Sequence, residues 1–326
     1  MKIAVTGATG HIGNNVCRKL INKEHQVHAL VRNGKDIALQ GLSIETHQGN
    51  LMNEEVLDNM LTGVDLLIHM AAIVSIDPAD RENILKTNIE GPRVVVDACL
   101  RNGVKRIIHF SSIHAHKAFG PNVEINEETD YVTNPASAYD YSKAQGEAIM
   151  IAARKRGMDV TIVNPTGVIG PNDYKPSLTG QLFIKMLRGN MRIIVDSGFN
   201  WVDVRDVADA VVQIVEQNIS NEKMFLSGHW RSLQTLGATT CSVIEQQYKC
   251  LALPFIFAYL GLPFIHLASL FYKKSPLYTS QSLKAVKEGS RLVSHQKANK
   301  VIGYVPRPFE DTIHDTVEFL LTKYSL

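Results

Sequence analysis

Short apolar runs alternate with longer amphipathic segments through the first two thirds of the chain. The apolar runs are continuous, which is typical of strands buried on both faces of a parallel sheet. They predict strands at residues 3–6, 27–31, 44–48, 66–69, 106–110 and 160–163. The segments between them predict helices at residues 14–22, 54–61, 83–102 and 138–156. This alternation predicts an α/β fold with a doubly wound parallel sheet, in which ligands bind at the carboxyl ends of the strands.

Beyond residue 170 the pattern is less regular. We expect a helix near residues 181–188, a strand and a helix within 201–217, and a strand at 223–226. The parallel sheet, of the Rossmann type, would take residues 1–170 and be completed by about 196–227. Residues 171–195 and 228–326 would form a smaller, mostly helical lobe that binds the substrate.

Residues 251–272 lack Asp, Glu, Lys and Arg and are numerous enough to cross a bilayer. Pro254, Gly261 and Pro263 interrupt the segment, so we favour two short buried or interfacial helices broken near Gly261. Three roles stay open for it: packing of the lobe, a peripheral membrane contact, and a single membrane span.

Composition narrows the classes of function. Apolar residues make up 45% of the 326 residues and charged residues 20%, as in a packed globular protein. The net charge of +2 is spread without a basic block, which argues against a nucleic-acid partner. The four cysteines form no CxxC pair, so no metal site is expected from them. No secretory signal precedes the first strand, and we expect a cytoplasmic protein.

The first predicted strand runs into the glycine-rich sequence TGATGHIG at residues 6–13. Gly7 permits a tight turn, Gly10 lets the backbone approach a pyrophosphate, and Gly13 allows close packing of helix on strand. The helix N-terminus then faces the phosphates with free N–H groups. Thr9, His11 and Ile12 are further candidate contacts in this loop. The pattern predicts binding of a nicotinamide dinucleotide.

The end of the second strand indicates which dinucleotide is bound. A carboxylate there would hold the ribose 2′-hydroxyl of NAD, whereas arginine accommodates the 2′-phosphate of NADP. Arg32 and Lys35 lie in this position, and Asp36 comes slightly too late in the sequence. We therefore expect NADP(H), with NAD(H) as the alternative.

A Tyr-x-x-x-Lys pair, Tyr139 and Lys143, lies on one face of a predicted helix. An ammonium beside a phenol is expected to lower the phenol pKa, which suits the proton transfer that accompanies a hydride. Ser111 and Ser112 follow the strand at 106–110, where a hydroxyl can hydrogen-bond a substrate oxygen. Together these residues predict carbonyl reduction or alcohol oxidation.

At this point the chain resembles the extended short-chain dehydrogenase/reductase family, which belongs to the epimerase/dehydratase superfamily. The motifs that carry the resemblance cover about the first two thirds of the chain: TGATGHIG (6–13), HMAA (69–72), TNIEG (87–91), HFSS (109–112), YDYSK (139–143), NPTGVIGP (164–171) and WVDVRDVADA (201–210). The nearest branch is similar to dihydroflavonol 4-reductases and 3β-hydroxysteroid dehydrogenases.

The resemblance implies roles for individual residues. Ser112, Tyr139 and Lys143 would form the catalytic triad, with Tyr139 as the acid and base. The implied cofactor contacts, besides the glycine loop, Tyr139 and Lys143, are Asn50, Leu51, Ala71, Ala72, Asn88, Ser111, Pro165 and Val168. A homodimer through helices near 88–102 and 140–156 is also implied.

The residues after Ser112 bear on the type of reaction. Related nucleotide-sugar dehydratases resemble this chain but carry an Asp-Glu pair there, whereas this sequence has Ile113-His114. We therefore expect an NADP(H)-dependent oxidoreductase that interconverts a ketone and a secondary alcohol. The alternatives are a nucleoside-diphosphate-sugar epimerase with a tightly bound NAD(P) and a non-catalytic NADP sensor. The substrate would be an apolar small molecule or a sugar nucleotide. His114 and His116 are open as either substrate contacts or loop residues without chemistry.

Overall fold

The computed structural model describes residues 1–34, 36–75, 77–258 and 289–324. Seven parallel strands form its large sheet, in the order β10-β6-β5-β4-β1-β2-β3. Their bounds are β1 (Lys2–Thr6), β2 (Gln26–Val31), β3 (Ile44–Gln48), β4 (Leu66–His69), β5 (Arg106–Phe110), β6 (Asp159–Pro165) and β10 (Lys223–Leu226). The strand order reverses between β1 and β4, so a crevice opens at their carboxyl ends. The predicted doubly wound sheet is confirmed.

Helices cover both faces of this sheet. Their bounds are α1 (His11–Asn22), α2 (Glu54–Leu61), α3 (Arg81–Leu85), α4 (Gly91–Arg101), α5 (Ala138–Arg154), α6 (Leu178–Leu187), α7 (Val204–Glu216), α8 (Leu233–Val243), α9 (Gln296–Ile302) and α10 (Phe309–Tyr324). Apolar residues of α1 and α7 pack on one face, and those of α2, α4 and α5 on the other. The single helix predicted at 83–102 is interrupted, because residues Lys86–Glu90 form a π-helical turn between α3 and α4.

Strand β3 differs from the other strands of the sheet. Its sequence IETHQ is only partly buried, and Glu45 and Thr46 are exposed. The prediction that this strand is buried on both faces is therefore wrong. It lies at the edge of the sheet, with β2 as its neighbour, so part of its surface faces solvent.

A second cluster of buried apolar side chains lies beside the large sheet. Strands β7 (Gly167–Ile169), β9 (Gly198–Asp203) and β11 (His229–Ser232) form a three-stranded sheet. Helices α6, α8 and α10 bury Phe183, Leu236 and Ile313 against it. The expected helical C-terminal part is confirmed, but the sequence pattern did not predict its small strands.

The apolar segment at 251–272 begins as a strand. Residues Leu251–Leu253 form β12, which pairs in parallel with β8 (Ile193–Val195). Residues 255–258 are helical, so a helix before Gly261 is present but starts after a short strand that was not expected. The break expected near Gly261 lies outside the described residues. Within the described ranges, no helix is long and apolar enough to cross a membrane.

Residues 298–304, near the C-terminus, pack against the large sheet. Ala298 and Ile302 of α9 are buried in the same apolar cluster as α1 and α7, and so is Tyr304. The Tyr304 hydroxyl donates to the Ser227 carbonyl oxygen at 3.0 Å. Part of the segment assigned to the lobe thus packs on the sheet, and the division into two domains stays a prediction.

Candidate active site

The glycine loop connects β1 to α1 through backbone that leaves no room for side chains. Gly7 has a positive φ of +79°, and a Cβ atom there would lie 2.7 Å from the Ala71 backbone nitrogen. A Cβ at Gly13 would lie 2.1 Å from the Gly7 carbonyl oxygen. Both glycines are therefore required by close backbone approach, as the sequence predicted for Gly13.

Helix α1 begins directly after Gly10, whose backbone is extended and offers no side-chain cap. The first N–H groups of a helix point along its axis and attract anions. The short loop and this helix N-terminus therefore fit the pyrophosphate of a dinucleotide. Thr9 and Gly10 lie at the tip of the loop, and His11 and Ile12 open the helix.

The loop after β4 is tied to the glycine loop by Thr6. The Thr6 hydroxyl is 2.7 Å from Nδ1 of His69 and accepts from the Ala71 backbone N–H at 3.3 Å. Burial lowers the pKa of His69 to about 3, so its ring is neutral. Ala71 and Ala72 therefore follow a fixed strand end beside the crevice.

Asn88, in the π-helical turn, is buried, and its side-chain amide makes hydrogen bonds within the protein. Its amide accepts from the Ile73 N–H at 2.8 Å and donates to the Ile73 carbonyl at 3.0 Å and to the Ser142 hydroxyl at 3.0 Å. Gly146 of α5 passes so close that a Cβ would lie 2.6 Å from the Asn88 carbonyl oxygen. Asn88 thus links the loop after β4 to α5 through hydrogen bonds. Its contact with a ribose stays a prediction.

The end of β2 carries an exposed arginine, Arg32. Lys35 lies outside the described residues. Asp36 accepts from the Ala38 N–H at 3.1 Å and pairs with the Lys175 ammonium. Asp36, the first carboxylate after this strand in the sequence, is therefore bonded to other groups of the protein.

The residues predicted to face the adenine and the nicotinamide lie in or directly after strands. The Asn50 side chain, after β3, accepts from the Met52 N–H at 2.8 Å, and Leu51 is buried. Pro165 closes β6, and the carbonyl oxygen of Val168 accepts from the Thr179 hydroxyl at 3.1 Å. Their contacts with a cofactor stay predictions.

The structure brings Ser112 and Tyr139 together. Ser112 is buried after β5, where its hydroxyl accepts from the His114 N–H at 3.2 Å. The half-buried phenol of Tyr139, in the first turn of α5, lies close enough to Ser112 for that hydroxyl to act on its pKa. Burial raises the pKa of Tyr139 to about 12, and the effect of Ser112 offsets only part of that rise. The expected lowering of the phenol pKa is therefore wrong for this structure, because desolvation dominates.

Lys143 lies one helical turn after Tyr139 and is almost fully buried. Its ammonium donates to the Phe110 carbonyl oxygen at 2.7 Å, at the carboxyl end of β5. Burial lowers the pKa of Lys143 to about 8, against an opposing effect of Glu147. Ser111, whose backbone N–H donates to the Val163 carbonyl at 2.8 Å, is buried at the same strand end.

The two histidines after Ser112 point to different places. The half-exposed ring of His114 meets the Tyr139 ring edge-on, with centroids 5.9 Å apart, and lies 3.3 Å from the Asp140 carboxylate. Burial opposes protonation of His114, but Asp140 outweighs it and raises the pKa. His116 is buried and donates from Nδ1 to the Thr129 carbonyl at 2.6 Å.

Sequence reasoning missed Glu147, which lies one turn after Lys143 and is fully buried. Its carboxylate accepts from the Tyr131 hydroxyl and from the Asn164 amide, both at 2.8 Å, and lies 3.7 Å from Nε2 of His116. Burial opposes ionisation, but His116 and Asn164 hold the pKa of Glu147 at about 2. The Tyr-x-x-x-Lys-x-x-x-Glu spacing was the available signal.

Known proteins are similar to large parts of this chain. Residues 3–226 match the family model described as the NAD dependent epimerase/dehydratase family. Sterol demethylase protein B of Methylococcus capsulatus is 36% identical over 230 residues, which are 70% of each chain. A putative dihydroflavonol 4-reductase of Synechocystis is 36% identical over 206 residues, 63% of this chain and 60% of the relative.

Solved structures resemble the whole chain. The crystal structure of gox2253 has a TM-score of 0.84 at 30% identity and covers 98% of both chains. A UDP-glucose 4-epimerase from Thermotoga maritima has a TM-score of 0.78 at 21% identity and covers 99% of this chain and 100% of its own. The second likeness shows that the fold is shared.

Proposed function

Because the chain belongs to the NAD-dependent epimerase/dehydratase family, we propose that it is an NADP(H)-dependent reductase that converts a ketone into a secondary alcohol. The observation that carries this proposal is the position of the Tyr139 phenol beside Ser112 at the carboxyl edge of the sheet, where burial raises the pKa of the phenol. A phenol that keeps its proton at neutral pH is suited to protonate a carbonyl oxygen.

In this proposal each residue of the site has one task. A reduced nicotinamide bound at the glycine loop would be the source of the hydride for the carbonyl carbon. Tyr139 donates its proton to the carbonyl oxygen, and the Ser112 hydroxyl hydrogen-bonds that oxygen as negative charge develops on it. The ammonium of Lys143, charged below its pKa of about 8, stabilises the tyrosinate that remains. Proton uptake from solvent then restores the phenol.

The preference for NADP(H) rests on Arg32 and Asp36. Arg32 is exposed after β2, where a guanidinium can pair with a 2′-phosphate. The Asp36 carboxylate is held by Lys175 and by its own turn, so it is poorly placed to hold a ribose hydroxyl. NAD(H) is the alternative that a cofactor comparison would reveal.

The class of substrate we propose is an apolar ketone. A relative from Stigmatella aurantiaca, 27% identical and named as a ketoreductase of a farnesyl-bearing quinoline oxide, supports it. Two cinnamoyl-CoA reductases of Arabidopsis thaliana, 29% and 28% identical, support reduction in general, because the substrate in their name is a thioester and not a ketone. The residues after Ser112 also lack the carboxylate pair expected of a dehydratase. The lobe beside the site is built around a cluster of apolar side chains.

The test is cofactor turnover with defined substrates. Purified protein is mixed with NADPH or NADH and a panel of aryl ketones, isoprenoid ketones and sugar nucleotides, and absorbance at about 340 nm is followed with product analysis. The proposal predicts that NADPH is consumed in proportion to the alcohol formed. A sugar nucleotide epimerised without net cofactor consumption would replace it with the epimerase. Cofactor binding without turnover of any panel member would favour the sensor.

A further inference from the structure

Three side chains with metal-binding atoms meet at the edge of the large sheet. His28 lies on β2, and Glu45 and His47 lie on β3. Residues 28 and 45 are paired in register, so their side chains and that of His47, two residues further, lie on the same face of the sheet. This cluster is separated from the proposed catalytic residues, which follow β5 or lie on α5, by the strands β4 and β1.

The donor atoms of the cluster are already spaced like ligands of one ion. Nδ1 of His28 is 3.1 Å from Nε2 of His47, and Oε1 of Glu45 is 3.5 Å from the first nitrogen and 3.3 Å from the second. In a tetrahedral zinc site with bonds of about 2.0–2.1 Å, neighbouring ligand atoms are about 3.3 Å apart. The three observed separations bracket that value. An ion at bonding distance from all three would lie less than ~1 Å from their plane.

The exposure of the ligands is also compatible with a metal site. His28 is only 5% exposed, so its ring is held in place by the surrounding packing. Glu45 is 63% exposed, which leaves the outer side of the cluster open to solvent. An ion can enter from that side and keep a water molecule as its fourth ligand.

A second group of similar residues, His314, Asp315 and Glu318, serves as a contrast. All three lie within the single helix α10. The Asp315 carboxylate already forms an ion pair with Arg205. A metal at this group would have to displace that arginine.

We propose that His28, Glu45 and His47 bind one Zn²⁺ ion with the two imidazole nitrogens and one carboxylate oxygen. The ion links the edge strand β3 to β2 and leaves its fourth position to water. Its role is structural: it holds together the two strands that end next to Arg32 and Asn50, which are the proposed contacts for the adenosine half of the cofactor.

The experiment measures zinc binding directly. Chelator-treated full-length protein is titrated with zinc chloride by calorimetry, and its melting is followed with and without the ion. The proposal predicts one zinc per chain and a rise in Tm of ~5 °C at a hundredfold excess over Kd. His47→Gln and Glu45→Gln should each weaken zinc binding by about 100-fold or more. His314→Gln and Glu318→Gln are the matched controls and should bind zinc like the natural chain.

Coordination is checked independently by X-ray absorption, which should show nitrogen and oxygen neighbours and no sulfur. Because Glu45 is exposed, Glu45→Gln keeps the test valid should a histidine variant fail to fold. Absence of zinc binding by the natural chain would overturn the proposal. Undiminished binding by both His47→Gln and Glu45→Gln, or loss of binding in His314→Gln, would overturn it as well.

Discussion

The carboxyl edge of the large sheet and the small lobe beside it are organised in different ways. At the sheet edge, backbone constraints place the polar groups: Gly7 and Gly13 admit no side chain, and Ser112 follows a buried strand. In the lobe, apolar side chains such as Phe183 and Leu236, from different helices, pack on one another. The proposed cofactor site is therefore determined by local sequence, whereas the proposed substrate lobe depends on packing between segments that are distant in sequence.

The largest effect should come from Tyr139→Phe. Removing the hydroxyl deletes the proposed proton donor, so kcat should fall by about 10²–10⁴-fold, while NADPH still binds. Steady-state kinetics and a cofactor titration measure the two quantities. Tyr141→Phe on the same helix is the control, because Tyr141 has glutamine instead of lysine four residues later. Equal loss in both variants would show that the helix, and not the Tyr139 hydroxyl, was disturbed.

Gly13→Ala tests whether close backbone packing shapes the carboxyl edge of the sheet. Its Cβ would meet the Gly7 carbonyl oxygen at 2.1 Å, so the loop must shift. We expect a loss of about 3 kcal/mol in the free energy of unfolding together with loss of cofactor binding. Gly10→Ala, whose Cβ would lie 3.3 Å from the same oxygen, should cost about 1 kcal/mol or less. Denaturant unfolding distinguishes them, and equal costs would contradict the close-packing argument.

Leu236→Ala tests the lobe. The side chain is fully buried in α8, and its truncation should cost about 2–4 kcal/mol of stability through the cavity it leaves. The folded fraction should bind NADPH with unchanged affinity, because the glycine loop and the α1 terminus do not depend on this cluster. Calorimetric binding below the unfolding transition measures this. A matching loss of cofactor affinity would show that the two regions are coupled.

Arg32→Ser should have the smallest effect of the set. If the guanidinium pairs with a 2′-phosphate, its loss weakens NADPH binding by about tenfold or somewhat more and leaves NADH binding nearly unchanged. The ratio of the two dissociation constants reports the change. An unaltered ratio would remove the basis for NADP preference at this strand end.

The fold of the sheet was largely predictable because most of its strands are buried apolar runs with distinct boundaries. The strands at 66–69 and 106–110 are of this kind and were found with the bounds that the structure shows, as was the partly exposed strand at 44–48. The solvent exposure of β3 was not predicted, since its edge position depends on the order of strands. The pairing of β8 with β12 was also missed, because it joins residues far apart in sequence.

The residues of the candidate site that belong to a local sequence motif were predictable. The pKa values and side-chain partners that depend on burial were not. The approach of Ser112 to Tyr139 follows from a strand end and a helix start. The rise in the Tyr139 pKa follows from desolvation, which no spacing of residues reveals. Glu147 was missed for a similar reason: a glutamate on a helix is usually solvated, and its partners Tyr131 and Asn164 come from other segments.

The measurement closest to the central claim follows the hydride itself. NADPH carrying deuterium at C4 of the nicotinamide is incubated with the enzyme and a ketone that it consumes, and the product is examined by mass spectrometry. We predict an alcohol with a single deuterium at the carbinol carbon, formed in proportion to oxidised cofactor. An unlabelled product formed while the labelled cofactor remains reduced would contradict hydride transfer to a ketone.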